Sequence, residues 1–196
     1  MRMRAAEFDR RYALRPDITK AELVQGVVYV ASPVRIEEHA EPDFLMATWL
    51  GHYALTHTGV RGGSNGTVRL SDDDRVQPDQ MLWKAGSGRA VVAEDSYMDG
   101  APELVVEVAA SSASYDLHAK LESYERAGVQ EYIVWVTEDE QLLWFEWVDG
   151  RFQELPAGND GWTESRVFPG LRLHAGRLLE GDFSVLLPGA SQLADS

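Results

Sequence analysis

The chain has 196 residues, and 18 Lys plus Arg against 32 Asp plus Glu leave a formal charge of −14 with histidine neutral. With 44% hydrophobic residues, a chain of this length buries a core of its own, so a single domain is expected over 1–196, with its core at about 22–173. The absence of cysteine excludes disulfides, thiolate metal sites and a cysteine nucleophile. The acidic balance excludes broad, non-specific affinity for nucleic acid, which depends on Lys and Arg displacing counterions. No run of about 18 apolar residues occurs, so no membrane span is expected. The charged start Met1-Arg2-Met3-Arg4 lacks a signal-peptide core, and a cytoplasmic location is expected.

Glu22-Leu-Val-Gln-Gly-Val-Val-Tyr-Val predicts two short strands around a Gln25-Gly26 turn, closed by Ser32-Pro33. From about Ile36 to His57, Leu45, Thr48, Trp49, His52 and Leu55 recur at helical spacing behind the acidic Glu37 and Glu38, which predicts a helix packed on that stripe. Gly62-Gly63-Ser64-Asn65-Gly66 reads as a turn cluster, Thr67 to Leu70 as a strand and Ser71 to Arg75 as a charged loop. Met81-Leu82-Trp83 continues as a strand, and Pro78, with no N–H to donate, suits only its start or edge. Gly86 to Gly100 reads as an irregular connection.

Glu103 to Ala109 alternates, with Leu104, Val106 and Val108 on one side and Glu103, Val105 and Glu107 on the other. Ser111 to Ser114 supply helix caps, Leu117, Leu121 and Tyr124 an apolar stripe, and Ala127-Gly128 a stop. With the strand from Glu131 to Val136, this forms a βαβ unit that favours a parallel, right-handed crossover. Gln141 to Val148 and Arg151 to Leu155, joined by Asp149-Gly150, read as a hairpin. Phe168 to Leu173 reads as extended, Ala175 to Glu180 as one or two helical turns, and 185–196 as a frayed tail. An α/β fold follows.

The commonest local signatures of catalysis are absent: there is no P-loop lysine motif, dinucleotide fingerprint, His-Glu-x-x-His pair or Gly-x-Ser-x-Gly elbow. Carboxylates remain. Asp79 begins a strand after a proline, and Glu107 lies late in an apolar strand. Ionised carboxylates are costly in such settings unless paired, hydrogen-bonded or bound to a hard cation such as Mg²⁺. Lys120 lies about 60° around the helix from Leu117, on the flank of the buried stripe, so its ammonium can reach the sheet. Asp116, four residues earlier, offers it a simple helical ion pair.

The run from Pro102 to Leu121, Pro-Glu-Leu-Val-Val-Glu-Val-Ala-Ala-Ser-Ser-Ala-Ser-Tyr-Asp-Leu-His-Ala-Lys-Leu, closes with Tyr124, Ala127-Gly128-Val129 and Glu131-Tyr132. It resembles the central block of the Uma-two-type endonucleases, a branch of the PD-(D/E)XK nuclease superfamily. Glu22-Leu-Val-Gln-Gly, His39 at the head of the first long helix and Val76-Gln-Pro-Asp79 match in order, so the resemblance extends from about Glu22 to Leu173. It implies a restriction-endonuclease-like core: a mixed β-sheet flanked by helices, with an N-terminal hairpin and additional C-terminal antiparallel strands. It also implies Mg²⁺ or Mn²⁺ held by Asp79, Glu107 and the backbone carbonyl of Val108. In the superfamily pattern the lysine lies two residues after the acid, which here is Ala109, and Lys120 is the migrated replacement. Glu22 would complete the catalytic set as the acid that supports this metal or a second one, Asp116 would orient the lysine, and His39 would support the site.

The reaction implied is hydrolysis of phosphodiester bonds in nucleic acid, with DNA as the expected substrate. Structural accounts stand beside each assignment: Asp79 as a turn acid, Glu107 as a buried acid paired with Lys120, Glu22 as a solvated edge residue and His39 as a surface histidine. Arg61, Arg69, Arg75, Lys84 and Arg89 form either a substrate-facing rim or a set of loop-solvating charges. Trp144 and Trp147 read as core and interface anchors, consistent with a homodimer. The alternatives are a non-catalytic protein-binding module that keeps the fold, and a carboxylate-pair hydrolase acting on glycosidic bonds without metal.

Overall fold

The computed structural model describes residues 2–31, 33–110 and 115–187. Ser32 of the expected strand stop, the Ser111 to Ser114 caps, residues 188–196 and the side chain of Asp116 lie outside the described residues. In chain order the strands are β1 (Ala21–Val24), β2 (Val27–Val30), β3 (Val60–Ser64), β4 (Val68–Arg69), β5 (Arg75–Val76), β6 (Gln80–Lys84) and β7 (Val91–Val92). They continue with β8 (Met98–Asp99), β9 (Leu104–Ala109), β10 (Glu131–Val136), β11 (Gln141–Val148), β12 (Arg151–Glu154), β13 (Thr163–Glu164) and β14 (Arg172–Leu173). The α-helices are α1 (Ala5–Tyr12), α2 (Glu41–Thr56), α3 (Leu121–Ala127) and α4 (Ala175–Leu179).

The alternation read from residues 103–109 sets the layering. Leu104, Val106 and Val108 of β9 join one apolar cluster, while Val105 and Ala109 join another, because successive strand residues point to opposite faces. All six residues of β9 are buried, as in a strand covered on both sides. The sheet runs β12-β11-β10-β9-β6-β3. Its β9–β10 pair is parallel, with Glu131 opposite Leu104 and Val136 opposite Ala109, and its other pairs are antiparallel. The expected hairpin joins β11 to β12 through Asp149 and Gly150, both at positive φ, 50° and 90°, the geometry that Asp-Gly favours.

On one face α2 packs Met46, Trp49, Leu50 and Tyr53 against Leu82, Val106 and Ile133. Each such buried side chain contributes roughly 1.5–3 kcal/mol. On the other face lies a second sheet, ordered β2-β1-β5-β4-β8-β7. Its Val24, Val68, Val76 and Met98 meet Val105, Val134 and Tyr124 of α3. α1 packs Ala5 and Phe8 on Ala21 and Leu23. α3 stops where expected, at Gly128 with φ 77°, whose N–H reaches the Tyr124 and Glu125 carbonyls at 3.0 and 3.1 Å. The fold is thus α/β, mixed sheets flanked by helices, with the N-terminal β1–β2 hairpin and the antiparallel β11–β12 addition.

Several expectations are corrected. Gly62 and Gly63 lie inside β3 rather than in a turn. Their lack of a side chain lets β3 approach β6: a Cβ on Gly62 would stand 3.2 Å from Leu82 Cδ2, and one on Gly63 3.3 Å from Met81 Cε. The predicted helix stripe is rotated. Trp49 is buried, but Leu55 is 90% exposed, and Met46, Leu50 and Tyr53 take the core positions. The strand read at 67–70 is confined to Val68–Arg69, and the connection at 86–100 carries β7 and β8. The tail expected to fray from 185 instead buries Val185 and Leu186 against the α2 core.

Candidate active site

The site forms where pairing between β6 and β9 ends. The ladder stops at Gln80 opposite Val106, and Asp79, immediately before β6, turns its carboxylate across the gap. Asp79 Oδ2 accepts the Val108 N–H at 3.0 Å, and His39 Nε2 lies 3.4 Å from the same oxygen. Asp79 Oδ1 accepts from Lys20 Nζ at 2.9 Å. Burial alone would raise the Asp79 pKa, but the His39 hydrogen bond and the charges of Lys20 and Lys120 outweigh it and hold the carboxyl well below the usual range. His39 is shifted upward in turn, chiefly by its bond to Asp79.

Glu107 follows from the same strand alternation that builds the second core: its side chain shares the face of Val105 and Ala109. Its Oε1 lies 2.8 Å from Lys120 Nζ and accepts the Tyr124 hydroxyl at 2.7 Å. Burial, then the Glu107 charge, push the Tyr124 phenol pKa well up, so it stays a donor. Glu22 of β1 places Oε2 3.1 Å from Lys120 Nζ and accepts the Gln77 N–H on Oε1 at 2.6 Å. Asp79, Glu107 and Lys120 are only 2%, 2% and 3% exposed. His39 and Lys120 both sit in π-helical turns, Ile36–Ala40 leading into α2 and Asp116–Lys120 leading into α3. Such turns add a residue per turn and re-aim side chains, and they recur at functional sites.

These residues meet at one cavity of about 530 Å³, lined by Lys20, Glu22, His39, Asp79, Glu107 and Lys120, with Val108 also on its wall. Lys20 is absent from the sequence reading. The signal that could have found it is its spacing: two residues before Glu22 along an extended segment, it faces the same side. Asn65, read from the sequence only as part of a turn, also belongs to the site. In the left-handed region with φ 54°, which asparagine tolerates better than most residues, it accepts from Lys20 Nζ on Oδ1 at 2.8 Å.

Of the two readings of the basic residues, a substrate-facing rim does not form at the cavity, whose lining contains none of the five. Arg69 pairs with Asp95 and Asp99, Arg75 with Asp9, and Arg89 with the Gly128 carbonyl, while Arg61 covers Trp83 and Lys84 covers Phe168. These are the loop-solvating charges of the alternative reading. Trp144 is in the core, and the half-exposed Trp147 donates its indole N–H to the Glu125 carbonyl at 3.1 Å.

The donor set suits a hard divalent cation. Asp79 and Glu107 both supply anionic oxygens to the wall of this cavity, the ligand class that Mg²⁺ and Mn²⁺ take. Among the cavity-lining residues Glu22, Glu38, Asp79, Glu107 and Glu138 outnumber Lys20, Arg35 and Lys120 in formal charge even with His39 counted as a cation, so added positive charge is favoured. Among the described residues no group of three or more His, Asp or Glu converges as a metal cage. The remaining positions would fall to a backbone carbonyl and to water, which Mg²⁺ commonly retains. The residues present fit such an ion.

The family model Uma2, described as "Putative restriction endonuclease", matches residues 5–176. Among curated proteins none matches significantly. A crystal structure described as a "putative nuclease belonging to DUF820" from Anabaena variabilis superposes with a TM-score of 0.60 at 14% identity, over 85% of this chain and 91% of that one. Among the described residues no helix is long and apolar enough to cross a membrane. Taken with the α/β architecture and the carboxylate–lysine cavity, the match over residues 5–176 makes this chain a member of the Uma2 family, of restriction-endonuclease-like fold.

Proposed function

We propose that the protein is a divalent-metal-dependent endonuclease that hydrolyses phosphodiester bonds of nucleic acid, with DNA as the substrate. The observation that carries the reading is the convergence of buried Asp79 and Glu107 with Lys20, Lys120 and His39 on one cavity. Carboxylates alone would repel a phosphodiester, so the arrangement suits this chemistry only with a cation present.

Asp79, Glu107 and the Val108 carbonyl would hold Mg²⁺ or Mn²⁺. When bound, the ion supplies a Lewis-acid charge on a phosphoryl oxygen and a water acidified for attack. The protein's own groups do the rest. His39 and the Val108 N–H fix the Asp79 carboxylate, and Glu22 anchors Lys120 from the side opposite Glu107. Lys120 presents a fixed positive charge to the oxygen on which negative charge grows as the P–O bond breaks.

The test is cleavage of supercoiled plasmid and of single-stranded DNA with Mg²⁺ or Mn²⁺, comparing wild type with Asp79→Asn and Glu107→Gln. Loss of cleavage by at least about a hundredfold in both variants, and in wild type with chelator, is expected. Folded wild-type protein that neither cleaves nucleic acid nor binds either cation at millimolar concentration would refute the proposal.

A further inference from the structure

We propose that Lys20 is a built-in counter-ion seated at the cation position of Asp79, which a divalent ion must displace in order to bind. The proposal rests on the metal-dependent reading above and concerns how that site is held before the ion arrives.

Three observations carry it. First, the ammonium of Lys20 sits between two oxygens, Asp79 Oδ1 at 2.9 Å and Asn65 Oδ1 at 2.8 Å. This is an all-oxygen seat of the kind a hard cation takes. Second, the other Asp79 oxygen is already engaged by the Val108 N–H and by His39. Oδ1 is therefore the oxygen to which an incoming ion has access, and Lys20 covers it. Third, the two lysines of the cavity are held differently. Lys120 is 3% exposed and bonded to Glu107 and Glu22, whereas the Lys20 side chain, also on the cavity wall, is 25% exposed. A lysine ammonium is a compact point charge on a flexible four-carbon stem, so Lys20 can swing into solvent.

The electrostatics explain why such a group is useful. Without it, Glu22, Asp79 and Glu107 would face one another across a buried cavity with Lys120 as their principal lysine partner, and uncompensated buried charge is strongly destabilising. With it, Asp79 Oδ1 has a cationic partner at 2.9 Å that holds the carboxylate in place. Exchange of one cation for another then requires no refolding of β6 or β9.

The measurement is calorimetric Mn²⁺ binding to the full chain, comparing wild type with Lys20→Met and Lys20→Arg, together with the melting temperature with and without Mn²⁺. The proposal expects Lys20→Met to bind Mn²⁺ at least tenfold more tightly than wild type, equivalent to about 1.4 kcal/mol. It expects a lower melting temperature for that variant without the ion and a larger rise with it. Lys20→Arg, which keeps the charge, should show no such tightening. Asp79→Asn added to Lys20→Met should abolish the gain. Equal or weaker Mn²⁺ binding by Lys20→Met, or equal tightening by Lys20→Arg, would overturn the proposal while leaving the metal site intact. Absence of Mn²⁺ binding in wild type and variants alike would overturn the metal reading and this proposal with it. If Lys20→Met fails to fold, Lys20→Gln, which keeps a hydrogen-bond donor without the charge, carries the same expectation.

Discussion

Lys120 stands 2.8 Å from Glu107 and 3.1 Å from Glu22, so one buried ammonium ties β9 to β1 across the two sheets. Because Lys120 and Glu107 are both nearly inaccessible to water, removing the ammonium takes the compensating charge from two carboxylates in a low-dielectric setting. Lys120→Met should therefore destabilise the protein by about 3–5 kcal/mol. Adding Glu107→Gln should recover part of that loss, since the pair is coupled. Urea unfolding of the two single variants and the double variant measures it, and strict additivity would contradict the pairing.

Asp74, which does not line the cavity, gives a pH-dependent contribution of its own. Its carboxylate accepts from the Gln25 N–H, the Ser71 and Ser123 hydroxyls and Arg126, at 2.7–3.0 Å. Burial opposes ionisation, but these bonds outweigh it and lower the pKa from its ordinary 3.8. A depressed folded-state pKa means stability that is fully present above the unfolded value and is lost as pH falls toward the folded one. The stability gap between wild type and Asp74→Asn should be about 1–3 kcal/mol at pH 6 and narrow progressively below pH 3.8. Urea midpoints at pH 6, 4 and 3 test the trend, and a gap that widens on acidification would count against it.

The position of α2 on the sheet can be read from two leucines. Leu50 is buried in the α2 core and Leu55 is 90% exposed. Leu50→Ala should cost about 2–5 kcal/mol, while Leu55→Ser should lie within about 0.5 kcal/mol of wild type. The reverse order in thermal or urea denaturation would place the opposite face of α2 against the sheet.

Gly63 tests the close approach of β3 to β6. A Cβ there meets Met81 Cε at 3.3 Å and Trp83 Cζ3 at 3.4 Å, and valine adds two methyl groups beyond that. Gly63→Val should lower stability by about 1–3 kcal/mol through overpacking, despite the higher strand propensity of valine. A melting temperature equal to or above wild type would mean that β3 has room to move away.

Much of the architecture was legible locally. The alternation of residues 104–109, the Gly128 stop and the Asp149-Gly150 turn each express an interaction between residues close in sequence, and each appears in the fold. The residue types of Asp79, Glu107 and Lys120 in an apolar frame also demanded partners, because a buried charge must be compensated wherever it lies. The Glu107–Lys120 pair was one of the readings open to the sequence, whereas the roles of Glu22, Lys20 and Asn65 as partners were not legible locally. The rotation of α2, the strand role of Gly62 and Gly63, and the second sheet all depend on surfaces brought together from distant segments.

The site divides in the same way. By itself the sequence determined that this chain carries an α/β core with carboxylates and a lysine in apolar strands and helices, because hydrophobic periodicity and the cost of burying charge act on short stretches. Only the tertiary structure decided that Lys120 answers Glu107 and Glu22, and that Lys20 and Asn65 close on Asp79. Those contacts join residues up to 98 positions apart, a span written as 22 to 120. Their geometry follows from how two sheets pack, which no local pattern encodes.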